Sequence, residues 1–141
     1  MPPGQIQLEV VTPARQVLSA LVDSVEIPGK DGYLGILRGH APLLTELGIG
    51  ALSYVQSGQT HYLTIIDGFA EVLGERVIVL AEVSERSNEI DRARAEEAAK
   101  RAQERLTKSG SAEVDWHRAS VSLQRALIRQ EVAGKSSAVH A

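Results

Sequence analysis

The sequence predicts a β + α chain, in which an N-terminal all-β domain of the sandwich or flattened-barrel type precedes a C-terminal antiparallel two-helix hairpin. Up to Ser84, short alternating apolar segments are separated by turn residues about every eight to twelve positions, as in such β architectures. Beyond Asn88, an alanine-rich run without Gly or Pro is typical of a helix. We therefore expect the β domain over residues 1–84 and the helical hairpin, with a frayed tail, over residues 85–141.

The β domain begins with a clear strand pattern. Ile6, Leu8 and Val10 alternate with polar residues, which is the period of a half-buried strand. Pro13 and the glycines at 29 and 32 mark the next turns. Three later turn signals between alternating segments are expected to separate further strands, at Ser57-Gly58-Gln59, Asp67-Gly68 and Gly74-Glu75.

The helical region shows start and stop signals. Asn88 is expected to cap the first helix, with acidic residues in its first turn, and Ser109-Gly110-Ser111 to end it. The second helix is expected from about Val114 to Val132. Each helix carries an apolar stripe at i, i+3, i+4 spacing. The stripes are Ala95, Ala98, Ala99, Ala102 and Leu106 on the first helix, and Trp116, Ala119, Leu123, Ala126 and Leu127 on the second. Because alanine buries little area, we expect this hairpin to leave the β domain at modest cost.

Composition narrows the class of protein. Apolar residues make up 43% and aromatic residues 4% of 141 residues, so the core must consist of Leu, Ile and Val with Ala. The chain has no cysteine, which excludes disulfides and thiol nucleophiles. It shows no secretory signal and no run of 18 apolar residues, so we expect a soluble, intracellular protein.

Charge is uneven along the chain. The first 84 residues carry four Lys or Arg and nine Asp or Glu, and the remainder carries eleven and nine, giving −5 and +2 within the total of −3. Neither part is basic enough for nucleic-acid binding. The second part can still hold one compact anion.

Arginines in the two helices form the candidate binding site. Their spacing places one row on each helix, and two facing rows would bind a phosphate-bearing ligand, since guanidinium pairs bidentately with phosphate oxygens. The alternative is a solvated helix surface with ordinary pairs such as Glu97–Arg101. The rows are Arg94 and Arg101, then Arg118, Arg125 and Arg129, with Asp91 and Glu85 as hydrogen-bond acceptors.

The other candidate motifs lack the residue spacing that their function requires. Gly134-Lys135-Ser136 lacks the glycine of a phosphate-binding loop, because Arg129 occupies its position. The four histidines lack metal-ligand spacing, and no nucleophile–base set is discernible among the serines. We therefore expect no catalytic residue and no metal site.

The segment Asp31–Gly50 combines apolar residues with five glycines and a proline. Glycine is costly in a regular element, so close backbone approach, a tight corner or a docked partner explains the segment better. We interpret the corner Arg38-Gly39-His40-Ala41-Pro42 as a docking surface for protein.

The sequence resembles a known family at several motifs. Besides GYLGILRGHAPLLTELGIG from Gly32 to Gly50, these are Asp67-Gly-Phe-Ala-Glu71, Arg76-Val-Ile-Val-Leu-Ala81 and Ile90-Asp91-Arg92-Ala93-Arg94-Ala95. They resemble the epsilon subunit of bacterial and chloroplast F-type ATP synthases. The resemblance implies a ten-stranded β-sandwich and a two-helix domain in the central stalk. It places Tyr33 and Arg38–Pro42 at or near contacts with the gamma subunit and the rotor ring.

The resemblance also implies a regulatory role. In this family the helix pair folds down on the sandwich or extends toward the catalytic alpha and beta subunits, where it inhibits ATP hydrolysis. Some members bind regulatory ATP in the folded-down state and need no other cofactor. The implied ATP-binding residues are Glu85, Ile90, Asp91, Arg94, Ala95, Arg101, Arg118, Arg125 and Arg129.

The resemblance implies a peripheral membrane protein on the cytoplasmic face of the cell inner membrane, with the thylakoid membrane as an alternative. Two rival functions stay open. One is a purely structural coupling subunit that neither binds nucleotide nor inhibits. The other is a free-standing enzyme, against which the missing catalytic constellation argues.

Overall fold

The computed structural model describes residues 4–108 and 113–139, with the side chains of the last helix described from 116 to 135. Seven strands precede two long helices, and one short 3₁₀ turn joins the two parts. The strands are β1 (Ile6–Val11), β2 (Gln16–Val22), β3 (Ser24–Gly29), β4 (Gly32–Ile36), β5 (Leu43–Gln56), β6 (Gln59–Leu73) and β7 (Arg76–Val83). The 3₁₀ turn spans Ser87–Glu89, and the helices are α1 (Arg92–Lys108) and α2 (Glu113–Val139).

The strands form one sheet in the order β2-β1-β7-β6-β5-β3-β4. All neighbouring strands are antiparallel except β1 and β7, which run parallel. The two long strands β5 and β6 form its centre and pair from Leu43 with Val72 to Gln56 with Gln59. The end of β6 pairs with β7, whereas the second half of β5 pairs with β3.

A bend in β6 lets this single sheet fold over its own core. Leu63 and Ile65 point inward before the bend, and Ala70 and Val72 point inward after it, so the inward face changes parity. At the bend, Gly68 has φ +140°, and a Cβ there would lie 2.1 Å from the Leu80 carbonyl oxygen. Glycine is therefore required where β6 crosses from one layer to the other.

The core between the layers is almost entirely aliphatic, as predicted from composition. Every strand contributes to it, with alternating residues inward in the regular stretches. Its side chains that are at most 2% exposed include Ile6, Leu8, Val10, Val22, Ile27, Ile36, Leu52, Leu63, Ile65, Val72, Val77 and Val79.

Two expectations about the strands need correction. The expected ten strands are seven in the described residues, because β5 and β6, at 14 and 15 residues, continue through both layers without interruption. The turn expected at Asp67-Gly68 is the bend within β6. The first strand and the turns at Ser57-Gly58 and Gly74-Glu75 lie where the sequence predicted them.

The start of α1 also differs from expectation. Asn88 lies inside the 3₁₀ turn, and Asp91 caps the helix instead, because the Arg94 backbone N–H donates to Asp91 Oδ1 at 3.1 Å. The expected acidic residues therefore precede the helix, and its first turn contains none. The break expected at 109–111 lies outside the described residues.

The second helix is longer than expected. It continues past Val132 to Val139, and Ala133 is buried, so residues 133–139 are helical instead of the start of a frayed tail. Residues 140 and 141 lie outside the described residues.

The helices pack through alanine, as the stripes predicted. Ala95, Ala99 and Ala102 of α1 and Ala119 and Ala126 of α2 are buried, and α1 packs against α2. In contrast, Trp116 and Leu127 are 54% and 49% exposed, so the outer members of the α2 stripe are not core. The helix α2 in turn lies against β6 and β5.

Candidate functional site

The linker between the two parts is tied to the β-sandwich. The Thr64 N–H donates to the Glu85 carbonyl oxygen, and the Glu85 N–H donates to Thr64 Oγ1, both at 2.9 Å. Arg86 donates from Nη2 to the Val17 carbonyl oxygen at 2.6 Å. Glu89 accepts from the Arg86 N–H at 2.8 Å and pairs with Arg15 at 2.7 Å. The linker up to Glu89 thus belongs structurally to the sandwich.

Glu85 is the point where the helical hairpin meets this linker. Its Oε1 accepts a hydrogen bond from Thr64 Oγ1 at 3.1 Å and another from Arg129 Nε at 2.9 Å. Thr64 is fully buried, and the side chains of Glu85 and Arg129 are 26% and 33% exposed. The structure therefore joins two of the sequence-predicted site residues, although 44 positions separate them.

The remaining predicted ligand-binding residues have other surroundings. Asp91 uses Oδ1 to cap α1, and Ala95 is buried, 5% exposed, where α1 carries its alanine stripe. Ile90, at intermediate exposure, connects the 3₁₀ turn to the helix. The four arginines Arg94, Arg101, Arg118 and Arg125 are exposed, and among the described side chains Arg129 is the only predicted arginine that forms an ion pair. Apart from Arg129, the two arginine rows are thus available to solvent.

A groove of about 920 Å³ lies between α2 and the outer surface of the β3–β5 region. Its floor includes Gly29, Gly48 and Gly50, and its described lining contains none of the five predicted arginines. Tyr33 forms one wall, with its hydroxyl accepting the Ala51 N–H at 3.2 Å. The groove is therefore distinct from the predicted phosphate site, and Tyr33 faces the hairpin.

The corner Arg38–Pro42 lies at one end of the sandwich. Arg38 forms an ion pair with Glu75 in the β6–β7 turn, and this contact lowers the pKa of Glu75 below its ordinary value. His40 donates its backbone N–H to the Leu37 carbonyl oxygen at 3.1 Å. Apart from His40, the residues of the corner are exposed. The structure thus joins this corner to the β6–β7 turn, whereas Tyr33 belongs to the groove.

An exposed apolar surface was missed in the sequence reasoning. Leu44, Phe69, Leu73 and Leu80 are each more than half exposed. Leu37, which immediately precedes the corner Arg38–Pro42, is 65% exposed. Phe69 and Leu80 border a concavity of about 380 Å³ that is lined largely by apolar groups. The signal was present in β6 and β7, where the outward positions Phe69, Leu73 and Leu80 carry large apolar residues among charged ones.

The fold and these surfaces define a small two-part protein, a largely antiparallel β-sandwich that carries a helical hairpin on its outer face. Residues 5–87 match the beta-sandwich domain of the ATP synthase delta/epsilon chain, and residues 88–134 match its long alpha-helix domain. The chain belongs to the ATP synthase delta/epsilon chain family. This confirms the resemblance, and with it the prediction of a non-catalytic subunit.

Curated relatives are similar over most of their length. The chain is 56% identical over 104 residues to the ATP synthase epsilon chain of Koribacter versatilis, covering 74% of this chain and 73% of the relative. It is 46% identical over 131 residues to the epsilon chain of Nitratidesulfovibrio vulgaris, covering 93% and 97%. Epsilon chain 2 of Syntrophotalea carbinolica is 44% identical over 131 residues, covering 93% and 95%.

Solved structures share the fold at low identity. A chain of the Euglena gracilis mitochondrial ATP synthase, solved as OSCP, F1 and c-ring, matches with a TM-score of 0.79 at 20% identity, covering 98% of this chain and 84% of that one. A chain of the Tetrahymena thermophila central stalk and c-ring matches with a TM-score of 0.59 at 11% identity, covering 91% and 96%. Among the described residues, no helix is long and apolar enough to cross a membrane.

Proposed function

We propose that this chain is the epsilon subunit in the central stalk of an F-type ATP synthase, where its sandwich docks on the gamma subunit and the rotor ring and its hairpin regulates ATP hydrolysis. Family membership over residues 5–134 supports the place in the complex. The observation that carries the docking role is the exposed apolar surface of β5, β6 and β7, since large exposed apolar side chains on a rigid sheet favour a protein partner.

The two docking partners take different surfaces of the sandwich. The apolar surface around Phe69 and Leu80 is suited to the gamma subunit, because its concavity can accept a bulky apolar side chain. The corner Arg38–Pro42 is suited to the rotor ring, because its residues are largely exposed beside the β6–β7 turn at one end of the sandwich. Contact with the ring makes the chain peripheral to the membrane, on the cytoplasmic face.

Regulation rests on the way in which the hairpin is attached. Helix α1 packs on α2, and α2 supplies the contacts with β6 and β5. Detaching α2 from these strands therefore frees both helices. In the extended state the helices contact the alpha and beta subunits and inhibit hydrolysis. Comparing ATP hydrolysis by the assembled complex with and without residues 91–141 tests this step. Equal rates would reject inhibition and leave a purely structural coupling subunit.

ATP binding to the folded-down hairpin is the second part of the regulation. The exposed arginines of both helices supply positive charge for the phosphates, and Arg129, the fifth arginine of the predicted set, pairs with Glu85 of the linker. ATP that binds only the folded-down state stabilises it by about 2.7 kcal/mol at a hundredfold excess over the dissociation constant.

Calorimetric titration of ATP into the isolated subunit tests this binding. We expect heat of binding that Arg125→Ala weakens and that Lys100→Ala, a basic residue outside the predicted set, does not. Absence of heat at millimolar ATP, or binding unchanged by Arg125→Ala, would reject the arginine site.

A further inference from the structure

The hairpin is attached to the sandwich through few apolar side chains. The buried residues of α1 are three alanines, which belong to the helix pair. On α2, the large buried apolar residues within the described range 116–135 are Ile128 and Val132. Since this apolar contact is small, polar contacts between α2 and the sandwich carry a substantial share of the attachment.

Two such polar contacts lie on neighbouring positions of β6. Arg129 pairs with Glu85, which is bonded to Thr64, and the Lys135 ammonium lies 5.0 Å from the ring centroid of Tyr62. Tyr62 and Thr64 are two residues apart and therefore on the same outer face of β6. A charge-assisted hydrogen bond and a cation–π contact both gain strength where water is partly excluded.

Contacts with the sandwich hold Glu85 in place independently of the helix. Its backbone N–H, its carbonyl oxygen and its carboxylate all bond to Thr64, which is fully buried in the sheet. The carboxylate is therefore a fixed acceptor, and Arg129 loses little freedom beyond its own side chain when it binds.

The linker beyond Glu85 is equally fixed until Glu89, through Arg86, Val17 and Arg15. Ile90 is extended, with φ −92° and ψ 128°, and Asp91 already caps α1. Ile90 and Asp91 are thus the first residues at which the chain can rotate without breaking the contacts that hold the linker on the sandwich.

We infer that Arg129–Glu85 and Lys135–Tyr62 form a two-point latch that holds the hairpin down, and that the released hairpin pivots at Ile90–Asp91. The inference rests on the proposed function in assuming that the hairpin leaves the sandwich. It deepens that function by assigning the contacts that set the balance between the two states, with the linker up to Glu89 remaining on the sandwich.

Distance measurement in solution tests the latch. The chain has no cysteine, so cysteines introduced at the exposed positions Ser57 and Gln103 take a donor and an acceptor dye specifically. We expect Glu85→Gln and Arg129→Gln each to raise the ratio of open to closed molecules roughly five- to tenfold, as for loss of one typical, partly exposed hydrogen bond. Lys135→Ala should multiply the ratio further, because it removes a separate contact.

Two controls make the result decisive. The double variant Glu85→Gln/Arg129→Gln should raise the open-to-closed ratio no more than the stronger single variant does, since the two substitutions remove the same interaction. Glu96→Gln, which removes the exposed Arg92–Glu96 pair at 3.7 Å within α1, should leave the ratio unchanged. Far-ultraviolet circular dichroism verifies that each variant is folded. Arg129→Lys, which keeps the charge, should give an open-to-closed ratio between those of the parent and Arg129→Gln.

A hairpin that stays closed in all variants, or effects of the two single variants that multiply in the Glu85→Gln/Arg129→Gln variant, would overturn the latch.

Hydrogen exchange in the double variant Arg129→Gln/Lys135→Ala tests the pivot. The Thr64 and Glu85 amides should keep their protection, and its loss would overturn the pivot at Ile90–Asp91. Opening without any inhibition of hydrolysis would instead overturn the proposed function and leave the latch standing.

Discussion

Phe69 and Leu80 lie directly opposite each other on the antiparallel strands β6 and β7, and each is 54% exposed. Their neighbours Ala70 and Val79 are also paired but point into the core. A cross-strand apolar pair stabilises a sheet by only about 0.2–1 kcal/mol, so sheet stability alone does not account for two large exposed apolar side chains. Their position on a rigid surface suits the docking of a partner.

Replacing Phe69 by Ser should therefore weaken binding to the gamma subunit far more than it weakens the fold. We expect a loss of about 2 kcal/mol or more in binding, as for a central aromatic contact, and a change of about 1 kcal/mol or less in unfolding free energy. Titration with purified gamma and urea unfolding measure the two quantities. Leu127→Ser, at a similarly exposed apolar position on α2, is the matched control. Equal losses of affinity in both variants would contradict the docking surface.

Gly50 should be intolerant of even one added methyl group. A Cβ at this position would lie 2.6 Å from Pro28 Cβ and 2.7 Å from the Tyr33 hydroxyl oxygen. We expect Gly50→Ala to lower the unfolding free energy by about 1–3 kcal/mol, the usual cost of overpacking.

Urea unfolding of Gly50→Ala against Gly35→Ala measures this cost. A Cβ at Gly35 would meet nothing within 4 Å, so that variant should be nearly neutral. A Gly50→Ala protein as stable as the parent would show that Tyr33 moves away freely and that the close approach is unimportant.

The sequence predicted the β domain well where burial alternates in short strands. Ile6, Leu8 and Val10 are inward because a period of two leaves them a single face to bury. The bend at Gly68 could not be told from a turn, since the Asp-Gly signal is the same and only the pairing of β6 with β5 and β7 on both sides distinguishes the two. For the same reason, two strands that serve both layers were not foreseen.

The candidate site was predicted only as a set of residue types. Asn88 and Asp91 are both good capping residues three positions apart, and the fixed linker up to Glu89 decides in favour of Asp91. Spacing placed Arg118, Arg125 and Arg129 in one row, but only Arg129 reaches an acidic partner in the described structure, at Glu85. The rotation of α2 about its axis is set by packing of Ala119 and Ala126, which periodicity alone does not orient relative to the sandwich.

The capping role of Asp91 can be separated from the proposed ATP-binding role. Asp91→Ala should destabilise the hairpin by about 0.5–2 kcal/mol through loss of the bond to the Arg94 N–H, whereas Asp91→Asn keeps a capping oxygen and should cost little. Helix content during thermal unfolding reports the cap. ATP titration of Asp91→Asn then reports the carboxylate alone. Equal helix stability in Asp91→Ala and the parent would show that another residue caps α1.

The contact between Glu89 and Arg15 should weaken in acid. The hydrogen bond from Arg15 is the main cause that lowers the pKa of Glu89 below its ordinary value of 4.5, and the Arg86 N–H acts in the same direction. A carboxyl group whose pKa is lower in the folded state contributes stability above its unfolded pKa and loses it as the pH falls through the folded value. The contact should thus be intact at neutral pH and lost in acid, as the pH falls through the lowered pKa of Glu89.

Side-chain proton exchange and chemical shifts of Arg15 and Glu89, followed by NMR from pH 7 to pH 3, measure this loss. The Arg15 guanidinium should become freely exchanging as Glu89 takes up its proton, while the sandwich core remains folded. In Glu89→Gln the Arg15 signal should already be free at neutral pH and should no longer change with acid. An acid transition of Arg15 that persists in Glu89→Gln would assign the pH dependence to another carboxyl group and contradict the role of the Arg15–Glu89 contact in it.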